Sequence, residues 1–201
     1  MLARMPALSL VIRSRVLLPR QRLQLRVHDI GAAEAIAGFD SFASVFSARP
    51  GHVSGVGVEA HVVARLPATH GRLDVEVIGR RRFRMADREG SSGDRVEVEF
   101  LEEPLGSGDL DLLLDELQRG WRRFAAAAAE SGEAAAIHAR LHRDPVIASY
   151  QAATLLPLLH PERQELLEIT TTTDRLERLL RIVAGETGIL RHLLATGRMG
   201  A

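Results

Sequence analysis

Lysine and cysteine are both absent from the 201 residues. Without lysine there is no residue to place on the β- and γ-phosphates in a P-loop, no partner for a Ser-Lys dyad and no amine for a Schiff base. Without cysteine there are no disulfides, no thiolate metal site and no thiol nucleophile. Aromatic residues are only 4% of the chain, so aliphatic side chains must do most of the packing. No stretch approaches the roughly 18 apolar residues of a membrane span. The short apolar run from Met5 to Ile12 is interrupted by Pro6 and closed by Arg13 and Arg15, without a clear small-x-small cleavage site. It does not read as a signal peptide. Nothing argues for secretion, and a soluble cytoplasmic protein is expected.

The 26 basic residues, all arginine, balance 26 acidic ones, so no global field draws nucleic acid or an anionic membrane surface. Residues 1–100 carry 15 Arg against 11 acids, and residues 101–201 carry 11 against 15. Any electrostatic partner must therefore be held locally. A hydrophobic fraction of 46% in a chain of this length is enough for a buried core.

The first hundred residues show the period of two that marks half-buried strands. Strands are predicted at Leu8 to Ile12, at Leu23 to His28, at Phe42 to Phe46, and along Val53 to Leu66, where Gly55 and Gly57 mark a bulge or bend. A short helix is expected near Gly31 to Gly38. The Pro67 to Gly71 turn leads into Leu73, Val75 and Val77, which alternate with charged residues; Gly79 interrupts that strand and Phe83 and Met85 resume its apolar face. After a Gly90 to Asp94 loop, Val96, Val98 and Phe100 alternate with Arg95, Glu97 and Glu99.

Beyond Pro104 to Gly108 the period becomes helical. Leu110, Leu113, Leu114, Leu117, Trp121 and Phe124 share one face, and an alanine run prolongs the helix. A second helix is expected from an Asp144 cap with Pro145 in its first turn. A third starts at Pro161, and a fourth has Asp174 as N-cap with Glu177 three residues on. The fold class is α+β: a twisted, partly closed β-sheet subdomain over 1–105, followed by a helical bundle over 106–201.

The order of these segments resembles the N-terminal substrate-binding domain of Lon-type ATP-dependent proteases. The residues that carry the resemblance are Leu8 to Ile12, Val16-Leu17-Leu18-Pro19, Leu23 to Val27, Gly55-Val56-Gly57-Val58, the His70-Gly71-Arg72 tip and the Gly79 to Met85 strand. In the second half they are Asp144-Pro145, Pro161 to Glu168 and Arg175 to Leu180. His28-Asp29-Ile30-Gly31 departs from the family pattern, so relatives' contacts there do not transfer. The resemblance implies a PUA-like β subdomain, one substrate-binding domain over both halves, and binding of unfolded or extended polypeptides with no cofactor. It also implies cooperation with a separate protease or ATPase, since the family's ATPase and Ser-Lys peptidase are expected to be lacking here.

Two clusters are candidates for contact with a partner. Phe39, Phe42 and Phe46 would be core residues in an inner strand, but on a surface loop or edge strand they would form the apolar patch that a binder of extended chains needs. Arg80, Arg81, Arg82 and Arg84 around Phe83 form the dense basic run, which could hold RNA by stacking and charge. Glu97 and Glu99 on a neighbouring strand could instead neutralise them. His138 and His142 have a helical i, i+4 spacing, but Ala139 stands where a zinc protease carries its glutamate, and no third ligand is evident. Neither they nor the His28-Asp29 pair makes a catalytic or metal site.

Overall fold

The computed structural model describes residues 5–27, 36, 38–67, 73–86, 95–131 and 140–197. His28, Asp29, His138, the His70 tip, the Gly90 loop and nearly all of the Gly31 to Gly38 helix lie outside them. The chain divides into two compact units, one formed by Met1–Glu102 with Leu159–Glu168 and the other by Glu103–Leu158 with Ile169–Ala201.

The first unit is built on seven strands: β1 (Ala7–Arg13), β2 (Arg22–Val27), β3 (Ser41–Arg49), β4 (His52–Val53), β5 (Val56–Pro67), β6 (Leu73–Met85) and β7 (Arg95–Phe100). Neighbours run β1-β7-β6-β5-β3-β4, and β1 pairs back onto β3, which closes β1, β7, β6, β5 and β3 into a ring. That closing pair is the parallel one, from Leu10 opposite Ala43 to Arg13 opposite Phe46. Closure removes the open edges of a flat sheet from these five strands. Ala43, Val45, Phe83, Val96 and Val98 fill the interior, with Leu8, Leu10, Val53, Met85 and Phe100 packed around them. Each large apolar side chain so buried contributes about 1.5–3 kcal/mol.

Two glycines permit close approaches inside this ring. A Cβ on Gly57 would lie 2.6 Å from the Phe83 ring and 2.7 Å from the Ser44 carbonyl oxygen. One on Gly79 would lie 2.1 Å from the Leu18 carbonyl oxygen. Gly79 does not interrupt β6, as the sequence suggested; it lets the Leu18 to Gln21 turn pack against the strand. Its carbonyl accepts from the Arg20 N–H at 2.7 Å and its N–H donates to the Gln21 carbonyl at 2.9 Å.

Helix α3 (His160–Glu168) belongs to this unit. Gln164 Nε2 donates to the Val56 carbonyl at 3.0 Å. The Val16 N–H reaches His160 Nδ1 at 3.3 Å.

The second unit contains α1 (Leu110–Glu130), α2 (Pro145–Leu155) and α4 (Thr172–Ala195). Asp109 and Asp144 cap α1 and α2, accepting from the Leu112 and Ile147 N–H groups at 3.0 and 2.9 Å. The predicted α1 stripe is present, with Leu114, Leu117, Trp121 and Phe124 buried. Its Gly120 faces Val183 of α4, where an added Cβ would sit 3.3 Å from Cγ1.

The start of α4 differs from the sequence expectation by one turn. Thr171, not Asp174, is its N-cap: the Thr171 Oγ1 accepts from the Asp174 N–H at 3.1 Å and donates to the Asp174 carboxylate at 2.6 Å. Just inside, the fully buried Arg175 donates to Ser149 Oγ at 2.9 Å and to the Glu103 carboxylate at 3.0 Å. Its guanidinium stacks 4.1 Å from the centre of the Tyr150 ring, whose hydroxyl donates to Glu103. A buried charge is tolerable because its donors are satisfied in this way. No described helix is long and apolar enough to cross a membrane.

Candidate functional site

The three phenylalanines do not share a surface. Phe42 is completely buried and Phe46 nearly so, both within β3, whereas Phe39 lies before the strand and is 41% exposed. All five residues from Phe42 to Phe46 are buried, because one face of β3 lines the barrel and the other is covered as well. The exposed patch proposed from sequence is therefore corrected to Phe39 alone, whose ring lies 5.4 Å from the Arg95 guanidinium.

Nor do the four arginines form one basic face. Opposite β5, β6 carries an extra residue: Val58 pairs with Arg82 and Ala60 with Gly79, so Arg80 and Arg81 together face Glu59. This bulge shifts the alternation of the strand, and Arg82 lies on the face opposite to the core residue Phe83, where α3 covers it. Buried Arg82 donates to the Leu167 carbonyl of α3 at 2.9 Å and to the Glu102 carbonyl at 3.1 Å. The Leu167 carbonyl lies at the C-terminus of α3, where a cation is favoured. Arg81 pairs with buried Glu59 at 3.2 Å and lies 3.6 Å over the Phe100 ring. Arg84 is exposed and stands opposite Glu99, as the sequence suggested. A single RNA-binding stripe is not present.

His142 serves local structure. Its Nδ1 accepts from the Asp144 N–H at 2.9 Å and its own N–H donates to Gln151. Among the described residues no group of three or more His, Cys, Asp or Glu could hold a metal ion.

A different feature offers room for a partner. Among the described residues β2 pairs with β6 alone, from Arg22 opposite Ile78 to Val27 opposite Leu73, leaving its other edge without a strand. β2 also lines a depression of about 450 Å³ through Gln24, Leu25 and Arg26, together with Arg13, Ser14 and Arg15 from the end of β1 and Asp74 and Val75 of β6. Burial, then the charge of Arg15, lowers the Arg13 guanidinium from its ordinary value to about 10, so it stays charged at neutral pH. Close by, burial and then Arg163, Arg15 and Arg13 hold the His160 imidazole below its ordinary 6.5. The region is electropositive. The only sequence signal for it was the pair of arginines closing the first apolar run, and the juxtaposition with β2 depends on the fold.

Residues 8–185 match the model of the ATP-dependent protease La (LON) substrate-binding domain. The chain belongs to this family. The Lon substrate-binding domain fold is also that of solved structures. The Lon N-terminal domain protein from Xanthomonas campestris superposes with a TM-score of 0.62 at 23% identity, covering 88% of this chain and 98% of that one. The N-terminal domain of Lon protease from the Mycobacterium avium complex gives 0.69 at 17% identity, covering 91% and 98%. In sequence, the chain is 31% identical over 138 residues to Lon protease 2 of Desulfotalea psychrophila. The match spans 68% of this chain but 18% of that relative's length. The family is that of a substrate-binding domain. The expected α+β fold, a partly closed sheet followed by a helical portion, is accordingly that of Lon N-terminal domains.

Proposed function

We propose that these 201 residues act by binding polypeptide in extended or unfolded form, for a protease or ATPase of the Lon type, and do no chemistry themselves. The observation that carries the reading is the family match over residues 8–185. Two features of the molecule support it. The residues hold no lysine, so neither a phosphate loop nor a Ser-Lys dyad can be assembled from them. The free edge of β2 offers backbone groups to which an extended chain can add as a strand, while exposed apolar side chains of the same unit, Ile12, Phe39 and Val63, give side-chain contacts. Affinity should be modest, because an unfolded chain loses conformational entropy when it is ordered on a sheet edge.

The experiment is a fluorescence-anisotropy titration of a labelled model protein in its reduced, unfolded form and in its native form. Binding of the unfolded form alone is expected, with a several-fold weakening by Phe39→Ser in a variant that still melts cooperatively. Equal binding of both forms, or of neither, contradicts the proposal.

A further inference from the structure

We infer that the depression lined by the end of β1, by the edge strand β2 and by Asp74 and Val75 of β6 is a subsite for an acidic side chain of the bound polypeptide, with the carboxylate held by Arg13. The inference rests on the polypeptide-binding reading and adds to it the chemistry of the preferred client. Arg13 lines the depression, and its Nη1, closed off from solvent where the side chain stands, has no hydrogen-bond partner among the described residues, so a turn of the guanidinium into the depression toward a carboxylate would satisfy it. A desolvated guanidinium N–H without an acceptor is costly, and a carboxylate is the acceptor whose geometry matches the guanidinium fork.

Charge around the depression favours the same ligand. Three arginines, Arg13, Arg15 and Arg26, face a single carboxylate, Asp74, which stands directly across from Arg26 in the β2–β6 register. The lowered titration of nearby His160, to which Arg15 and Arg13 both contribute, reports the same positive surroundings. About 450 Å³ lies within the usual range of ligand sites, roughly 300–1,000 Å³.

The position beside an edge strand selects a polypeptide over a lone anion. A chain adding to β2 presents every second side chain to one face, so its backbone can bond to the strand while one carboxylate enters the depression. Leu25 and Val75, which also line the depression, offer an apolar contact beside the charged one. An acidic residue with an apolar neighbour is the expected recognition unit. A nucleic-acid backbone would need a row of free cations, and the dense arginine run of β6 does not supply one, since Arg82 is buried and Arg81 is paired with Glu59.

The test uses the full chain and three labelled probes: an extended peptide with alternating glutamate and apolar residues, the same peptide with glutamine for glutamate, and a single-stranded RNA of similar length. Wild type should bind the glutamate peptide about tenfold or more tighter than the glutamine peptide, as loss of a charge-assisted hydrogen bond implies. Arg13→Gln should abolish that difference by weakening the glutamate peptide to the level of the glutamine one. Should Arg13→Gln fail to fold, the exposed double change Arg15→Gln with Arg26→Gln should reduce the same preference several-fold. Equal affinity of wild type for the two peptides overturns the subsite, and if unfolded protein still binds, the broader reading stands. Tighter binding of RNA than of the glutamate peptide, lost in Arg13→Gln, would assign the depression to phosphates and also overturn the inference. Failure to bind any polypeptide removes the broader reading itself.

Discussion

At the scale of single residues, identical side chains have opposite roles according to what packs over them. Arg82 and Arg84 are two positions apart on β6, yet one is buried against carbonyls and the other is exposed opposite Glu99. Arg82→Met leaves those carbonyls without their donor and should cost at least about 2 kcal/mol in chemical denaturation. Arg84→Gln should change stability by less than about 1 kcal/mol. The sequence could not separate them, because both lie beyond the bulge on one face of β6, and Arg82 is buried by α3, which comes from far along the chain. His160 makes a second residue-scale prediction. Its Nδ1 accepts from the Val16 N–H, and burial with Arg163, Arg15 and Arg13 lowers its pKa below 6.5. As pH falls through about 6.5 the unfolded chain therefore takes up the proton before the folded one does. Stability should be unaffected above that value, decline below it, and stop declining on this account once pH is below the folded pKa. Replacing His160 by Asn, which keeps an acceptor near Val16, should flatten the stability profile between about pH 7 and about pH 5. An unchanged slope in urea titrations across that range would remove His160 as its source.

Among the elements, strands and long helices were largely legible because their burial is periodic. The stripes of β7 and α1 and the Asp144-Pro145 start of α2 are written in consecutive residues, and the structure has them. What was not legible depends on neighbours far along the chain. The parallel pairing of β1 with β3 closes the ring, and no local pattern specifies it. Because β3 is covered on both faces, the Phe42 to Phe46 run lost the alternation that would have separated core from surface. The start of α4 was misread for a more local reason: four consecutive threonines offer several caps, and Thr171 rather than Asp174 takes the position. Thr171→Ala should destabilise α4 by about 1 kcal/mol, read as a lower thermal midpoint and faster amide exchange in its first turn. An unchanged midpoint together with unchanged exchange would mean that Asp174 alone suffices to hold the helix start.

For the molecule as a whole, family and fold class could be read from the order of ordinary segments, whereas the surface that engages a partner could not. Neither sequence-proposed cluster survives as one surface: Phe42 and Phe46 belong to the core, and Arg82 is buried. The depression beside β2 draws on residues from β1, β2 and β6, which only the folded sheet brings together. The central claim is that an extended polypeptide is held along the β unit at that edge. Amide hydrogen exchange, measured on the chain alone and again when saturated with an unfolded client, tests it most directly. The account predicts slower exchange in Arg22–Val27 and in the Arg13 to Arg15 segment, with little change in α1, α2 and α4. A bound client that leaves β2 exchange unchanged and slows only the helices would contradict it.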